Sequence, residues 1–161
     1  MTSEHWLFRL SAQDWLAAAD KEIELAAGQS RSRRKMLTHV RRGAGMALNG
    51  VLVAAEMASV LSDEDAATVW GRSYLDHLRA LASRVPDRTA SDAPPLPIEV
   101  PAEVCAAAKM LVELPLMDAQ GLVRLGGGHG PAVTRALAQG GLMLQWAKAY
   151  TEARAAELAT L

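Results

Sequence analysis

The chain has 161 residues, a formal net charge of -1 and a single cysteine, so an internal disulfide and a cysteine-pair zinc or redox site are excluded. Half of the residues are apolar and only 4% are aromatic, which favours helices over strands. The N-terminus lacks the basic and apolar regions of a secretion signal, and no stretch approaches about 18 uninterrupted apolar residues. We therefore expect a cytoplasmic protein that does not enter the membrane.

The chain begins with two predicted helices. Ser11 and Asp14 form a start that is similar to a capping box, and apolar residues continue at helical spacing to Gly28. From Arg31 to Leu61, apolar and small residues recur at alternating steps of three and four, which predicts a second helix of about 30 residues. Such a helix is longer than a small domain is wide, so we expect the other helices to pack along it.

The second helix is rich in small residues. Glycine costs about 1 kcal/mol relative to alanine inside a helix, yet this helix contains Gly43, Gly45 and Gly50. We expect another helix to approach closely at these positions. Small residues lie on both sides of the helix, which makes packing of a second subunit against it sterically possible.

Three further helices and two loops complete the predicted fold. The third helix runs from Asp63 to Val85, before a proline-rich loop at 86–101. The fourth runs from Pro101 to Pro115 and is followed by a loop at 116–130, in which only 122–125 could be extended. The last helix opens at Pro131 and continues through Leu158, with a bend or close contact at Gly140 and Gly141. The predicted fold class is all-α, an antiparallel up-and-down bundle of about five helices in one domain, 1–161, with its core at about 11–158.

Four segments carry a family resemblance. They are DWL at 14–16, AGMALNGVL at 44–52, WGRSYLDHL at 70–78 and VPAE at 100–103. In order and spacing they resemble the HEPN family of small helical domains, and in particular its minimal members, which partner nucleotidyltransferase-type proteins in toxin–antitoxin pairs. Asn49 stands where the family often has lysine.

The resemblance implies two functions of different classes. In the first, the chain is a helical interaction subunit that forms a homodimer, docks a nucleotidyltransferase-like protein or binds nucleotide or RNA, and has no chemistry of its own. The alternative is a metal-independent endoribonuclease that uses an Arg-x4-His pair at a dimer cleft. We favour the first, because the resemblance is to the minimal members and because the Arg-x4-His matches of this chain lie earlier in the bundle than the motif of the family's ribonucleases. No cofactor is expected in either case.

Two segments fit the Arg-x4-His pattern. Arg72 and His77 are the candidate catalytic pair, and Arg34 with His39 is the second match. The arginine would stabilise charge on a phosphate while the histidine moves a proton, which requires the two side chains to converge. On an unbroken helix, residues five apart point about 140° away from each other, so convergence needs a dimer cleft or a distorted helix end. Otherwise Arg72 pairs with Asp76, and His77 is a surface or interface histidine.

A basic cluster at the start of the second helix is the candidate nucleic-acid or nucleotide site. Clustered arginines can contact phosphates, although carboxylates of the first helix, Asp20, Glu22 and Glu24, could neutralise part of the charge. The cluster consists of Arg33, Arg34, His39, Arg41 and Arg42.

Other candidate sites have weaker patterns. The glycine run Gly126–Gly130 permits a phosphate-loop interpretation, but it lacks the Gly-Lys-Ser/Thr ending, so a flexible loop is favoured. His129 within that run is a minor candidate for ligand binding or proton transfer. No spacing predicts a metal site. Cys105 lies among alanines and is expected in the core.

Overall fold

The computed structural model describes residues 6–28, 32–57, 73–83, 98–115 and 131–161. These ranges contain five α-helices and no strand, which confirms the predicted all-α bundle. A short 3-10 helix, Trp6–Arg9, precedes them. The α-helices are α1 (Ala12–Gly28), α2 (Arg33–Met57), α3 (Tyr74–Ala82), α4 (Ala102–Glu113) and α5 (Pro131–Ala159).

The start of α1 is fixed by the capping box that the sequence predicts. The Ser11 hydroxyl accepts a hydrogen bond from the backbone N–H of Asp14 at 3.1 Å, and the Asp14 carboxylate accepts from the Ser11 N–H at 3.4 Å. The 3-10 helix was not predicted. It is held to α1 because Trp15 Nε1 donates to the Leu7 carbonyl at 2.8 Å and the Leu7 side chain is fully buried.

Helix α2 is the centre of the bundle. All residues from Gly43 to Ala55 are buried, and α2 contacts the 3-10 helix and each of the other four described α-helices. A helix that is buried on all sides needs neighbours all around it. The prediction that the second helix is the one along which the others pack is confirmed.

Helix α1 packs antiparallel to α2 over two of the glycines. A Cβ added at Gly43 would lie 2.8 Å from Ile23 Cδ1, late in α1, and one at Gly50 would lie 3.1 Å from Leu16 Cδ2, early in α1. Both distances are shorter than ordinary contacts between carbon atoms. The predicted close approach of a helix at these positions is therefore confirmed.

Helix α5 lies against both α1 and α2. A Cβ at Gly140 would lie 2.8 Å from Val40 Cγ1 of α2 and 3.1 Å from Ile23 Cδ1 of α1. Further along, Lys148 Nζ lies 3.5 Å from Asp20 Oδ1, so α5 runs antiparallel to α1. Gly140 thus makes the predicted close contact, whereas a Cβ at Gly141 would meet no described atom within 4 Å.

The glycines of α2 do not leave two surfaces for a second subunit. Gly43 and Gly50 face α1, while a Cβ at Gly45 would lie 2.9 Å from Tyr74 Cα of α3. Helices of the same chain thus fill both sides of α2, and the steric reason for predicting a homodimer was wrong. The homodimer remains a prediction from the family resemblance alone.

Helix α3 starts later than the sequence predicts. Ser73 is its N-cap, with φ -135° and ψ 162°, and its hydroxyl accepts from the Asp76 N–H at 3.2 Å. A continuous helix from Asp63 to Val85 is therefore wrong at this point, because an N-cap of this geometry interrupts the helical backbone. Residues 58–72 and most of the proline-rich loop lie outside the described residues, as do the possible strand at 122–125, the glycine run and His129.

The ring of Trp15 connects α1 to α3. It lies edge-to-face with the ring of Tyr74, with centroids 6.4 Å apart and ring planes inclined at 77°. Such a geometry is favourable for aromatic pairs. The first residue of α3 is therefore packed between α1 and the Gly45 position of α2.

Candidate functional site

His77 lies inside the bundle. Its side chain is 1% exposed, on the face of α3 that also carries the buried Leu78 and Leu81. The expectation of a surface histidine is therefore wrong for the single chain. Arg72 lies outside the described residues, but Ser73 separates it from the helix that contains His77. The argument against convergence of the Arg72 and His77 side chains assumed one unbroken helix, so it no longer applies.

The neighbouring Asp76 has an ion-pair partner on its own helix. Arg79 Nη1 lies 3.7 Å from Asp76 Oδ1, with the Arg79 side chain exposed and the Asp76 side chain about half-exposed. Arg72 lies outside the described residues, so its predicted pairing with Asp76 stays a prediction.

The two residues of the second Arg-x4-His match, Arg34 and His39, lie in different environments. His39 Nδ1 lies 2.6 Å from Glu22 Oε2 of α1, and both side chains are largely buried. Arg34 is exposed to solvent. Glu22 also lies 3.6 Å from Arg42 Nη2, so the predicted neutralisation of the basic cluster by α1 is confirmed for this carboxylate.

Two arginines of the basic cluster hold the end of α4. Arg41 Nε donates to the Leu111 carbonyl at 2.7 Å, and Arg41 Nη2 donates to the Leu114 carbonyl. Arg33 Nε donates to the Pro115 carbonyl at 3.2 Å. The last carbonyls of a helix lack partners within it and carry partial negative charge, which cations satisfy. Partial burial lowers the pKa of the Arg41 guanidinium below its usual value.

Three exposed cations remain on α2, and we call them the cationic face: Arg34, Lys35 and Arg42. The first turn of α2 has no acidic residue, so its positive charges oppose the helix dipole. A surface for phosphates would be built from this face rather than from the whole cluster. Lys35 was not among the candidate residues, although its helical spacing from Arg42 places both on the same side of α2.

Asn49 is a polar side chain in the centre of the core. It is fully buried, and neither its amide nitrogen nor its amide oxygen has a hydrogen-bond partner in the described structure. It follows Gly45 by one helical turn, toward the C-terminal end of α2. The sequence signal for this residue was an asparagine within the alanine-rich block where the HEPN family often has lysine.

The remaining described surface offers no metal centre. No group of three His, Cys, Asp or Glu side chains within the described ranges is placed to hold a metal ion. Cys105 is 4% exposed on the inner face of α4, as the sequence predicts for a core residue. A shallow cleft between α1 and α5 is crossed by the ion pair of Asp20 and Lys148.

The comparisons with known proteins identify no relative. The chain matches no protein-family model, no curated protein and no solved structure. Among the described helices, none combines the length and the apolar character needed to cross a membrane. None of the three comparisons bears on the resemblance to the HEPN family, which stays a prediction from the sequence.

Proposed function

We propose that this chain is a HEPN-like helical interaction subunit that docks a nucleotidyltransferase-type protein and has no chemistry of its own. The observation that carries the proposal is the position of the two histidines that match Arg-x4-His. His77 is 1% exposed, and His39 lies 2.6 Å from the carboxylate of Glu22. A general acid or base must reach the proton that it transfers, and neither histidine is freely presented to a substrate in this conformation.

A metal-independent endoribonuclease is the second candidate function. The observation that favours it is the helix break at Ser73. Arg72 and His77 therefore do not belong to one unbroken helix, on which their side chains would point about 140° away from each other. In this function, Arg72 would stabilise charge on the scissile phosphate and His77 would transfer the proton. His77 would first have to become accessible.

RNA or nucleotide binding is part of the proposed interaction role. The cationic face presents Arg34 and Lys35 without acidic partners among the described residues, and Arg42 with one partner at 3.6 Å. Such a surface attracts phosphates through charge that does not depend on base sequence. Arg33 and Arg41 take a structural role at the end of α4 in this proposal, since their guanidinium groups already donate to carbonyls.

Co-expression tests the interaction role. The nucleotidyltransferase-type protein encoded next to this chain would be produced with it, and the mass of the purified species would be measured by light scattering. A stable complex is expected. Separate elution of the two proteins at micromolar concentration, or the absence of such a neighbouring frame, would contradict the proposal. The same measurement on the chain alone tests the homodimer, because an interface of ordinary size holds at micromolar concentration.

RNA cleavage distinguishes the two functions. The purified chain would be incubated with structured RNA in EDTA, beside Arg72→Ala and His77→Ala, with Lys21→Ala as a control outside all candidate sites. We expect the RNA to stay intact with each protein. Cleavage by the parent chain that both Arg72→Ala and His77→Ala abolish, and that Lys21→Ala retains, would overturn the proposal in favour of the endoribonuclease.

A further inference from the structure

Helix α1 holds one histidine of the basic cluster in a fixed orientation. His39 Nδ1 lies 2.6 Å from Glu22 Oε2, and the Glu22 side chain is only 13% exposed. An ionised carboxylate only accepts hydrogen bonds, so Nδ1 carries the proton of this contact. The other ring nitrogen, Nε2, makes no hydrogen bond to the described residues, and it is not one of the buried polar atoms that lack a partner. Nε2 therefore reaches solvent while Nδ1 is held.

Two exposed cations lie one helical turn from His39 on the same face of α2. Lys35 is four residues before it, and Arg42 is three residues after it. Residues at these spacings are neighbours on a helix surface, with Cβ atoms about 5–6 Å apart. Arg42 also lies near the same carboxylate, with Nη2 at 3.6 Å from Glu22 Oε1. Lys35, His39 and Arg42 therefore form one group of hydrogen-bond donors.

Arg34, the remaining residue of the cationic face, points away from this group. It lies five residues before His39 on α2, which corresponds to about 140° around the helix axis, and it lies about 100° from its neighbour Lys35. Arg34 is also exposed to solvent. The cationic face therefore divides between two sides of α2, and Arg34 is a matched control for Lys35 and Arg42.

The group keeps positive charge despite the carboxylate of Glu22. When His39 is doubly protonated, three cationic side chains stand against that one carboxylate. Lys35 makes no ion pair with the described residues. It also lies in the first turn of α2, where the helix dipole favours anions. A phosphate oxygen would accept from Nε2–H of His39 and from the ammonium and guanidinium groups beside it.

We infer that Lys35, His39 and Arg42 form a phosphate-binding site, which is occupied when His39 carries a proton on both ring nitrogens. The inference rests on the RNA or nucleotide binding of the proposed function, and the phosphate belongs either to an RNA backbone or to a free nucleotide. The charged groups placed around His39 among the described residues are Glu22 on α1 and Lys35 and Arg42 on α2. Of these residue types, only histidine ordinarily changes charge near neutral pH.

The pH dependence of RNA binding tests the role of His39. Fluorescence anisotropy would be measured with a single-stranded RNA of about ten nucleotides that carries a rhodamine label and no terminal phosphate, so that the charge of the RNA stays constant. We expect the parent chain to bind about tenfold more tightly at about pH 6 than at about pH 8, because a proton is taken up with the ligand. His39→Gln cannot take up that proton and should bind equally at both pH values.

The salt dependence of the same binding tests the two cations. Lys35→Gln and Arg42→Gln should each lower the slope of log affinity against log salt concentration by about 0.7, the value for one contact to a single-stranded backbone. Arg34→Gln removes the same charge from the other side of α2 and should leave the slope unchanged. Circular dichroism would verify that each variant is folded.

Titration calorimetry with adenosine monophosphate distinguishes the two sources of phosphate. Binding that Lys35→Gln and Arg42→Gln weaken and Arg34→Gln retains indicates a free nucleotide, whereas binding of the RNA alone indicates the backbone. A pH dependence of RNA binding that His39→Gln retains, or equal effects of Arg34→Gln and Lys35→Gln, would refute this site and leave RNA or nucleotide binding in place. A parent chain that binds neither ligand would refute both.

Discussion

On one side of α2, α1 and α5 approach over Gly43, Gly50 and Gly140 and make apolar contacts. On the other side, the first residue of α3 packs over Gly45, and Arg41 donates hydrogen bonds to the Leu111 and Leu114 carbonyls at the end of α4. Apolar burial is non-directional and stabilises the bundle in proportion to area. Hydrogen bonds of a partly buried guanidinium require one arrangement of the helices. We therefore expect the first side to contribute more to stability, and Arg41 to fix the orientation of α4.

The largest expected effect comes from matched leucine truncations on the two sides. Leu16 in α1 and Leu78 in α3 are both buried. Leu16→Ala should lower the free energy of unfolding by about 3 kcal/mol, within the usual range for buried leucines. Leu78→Ala should cost about 2 kcal/mol, at the low end of that range, because the nine-residue α3 can shift to fill the space. Urea denaturation measures both, and equal losses would remove the distinction between the two sides.

Two glycine substitutions compare the closeness of the contacts. A Cβ at Gly45 would meet the backbone of Tyr74 at 2.9 Å, whereas one at Gly50 would meet the Leu16 side chain at 3.1 Å and the Ala12 carbonyl at 3.3 Å. Gly45→Ala should destabilise the chain by about 2 kcal/mol through overpacking. Gly50→Ala should cost less than about 1 kcal/mol, since the leucine can move and alanine improves helix propensity. Thermal denaturation of both variants checks this order, and a larger loss of stability for Gly50→Ala than for Gly45→Ala would contradict it.

Removing the guanidinium of Arg41 tests the polar side directly. Arg41→Met keeps the apolar stem and deletes the hydrogen bonds to the Leu111 and Leu114 carbonyls. We expect a loss of about 1.5 kcal/mol, as for hydrogen bonds made by a charged group. Arg34→Met is the control on the exposed surface of the same helix and should change stability by less than about 0.5 kcal/mol. Equal changes in stability for the two variants would show that the hydrogen bonds of Arg41 to the end of α4 do not stabilise the fold.

The smallest effect concerns two adjacent glycines of α5. A Cβ at Gly141 would meet no described atom within 4 Å, whereas one at Gly140 would lie 2.8 Å from Val40 Cγ1. Gly141→Ala should stabilise the chain by about 1 kcal/mol, the difference in helix propensity. Gly140→Ala should destabilise it slightly, because overpacking exceeds that gain. Calorimetry would detect the opposite signs, and stabilisation by both would argue against close packing at Gly140.

Periodicity predicted the parts of the fold that depend on apolar burial. The central helix, the capping box at Ser11 and the close contact at Gly140 all follow from residue spacing or from the cost of a glycine. The N-terminus of α3 did not follow, because the apolar period continues across Ser73 while the backbone is interrupted there. The 3-10 helix, of which Leu7 is buried, was also missed, since four residues are too few to show a period.

The candidate site was predicted less well than the fold. Sequence spacing grouped five basic residues, but spacing along one helix does not show which side chains other helices will bind. Arg33 and Arg41 donate hydrogen bonds to carbonyls at the end of α4 and just after it, which lie 82 and 70 residues away in the chain. The burial of His77 likewise depends on tertiary packing. Contacts between distant segments therefore decided which candidates stayed on the surface.

The edge-to-face contact of Trp15 with Tyr74 gives the chain an optical reporter. Trp15 stays anchored to α1 and to the Leu7 carbonyl, whereas Tyr74 belongs to α3. Separation of α3 would remove the tyrosine ring from the indole and change the tryptophan fluorescence. In a variant that keeps Trp15 and carries phenylalanine at Trp6, Trp70 and Trp146, a rapid-mixing experiment would follow that change in time. The rate at which the contact between Trp15 and Tyr74 breaks on unfolding would thus become measurable without an attached dye.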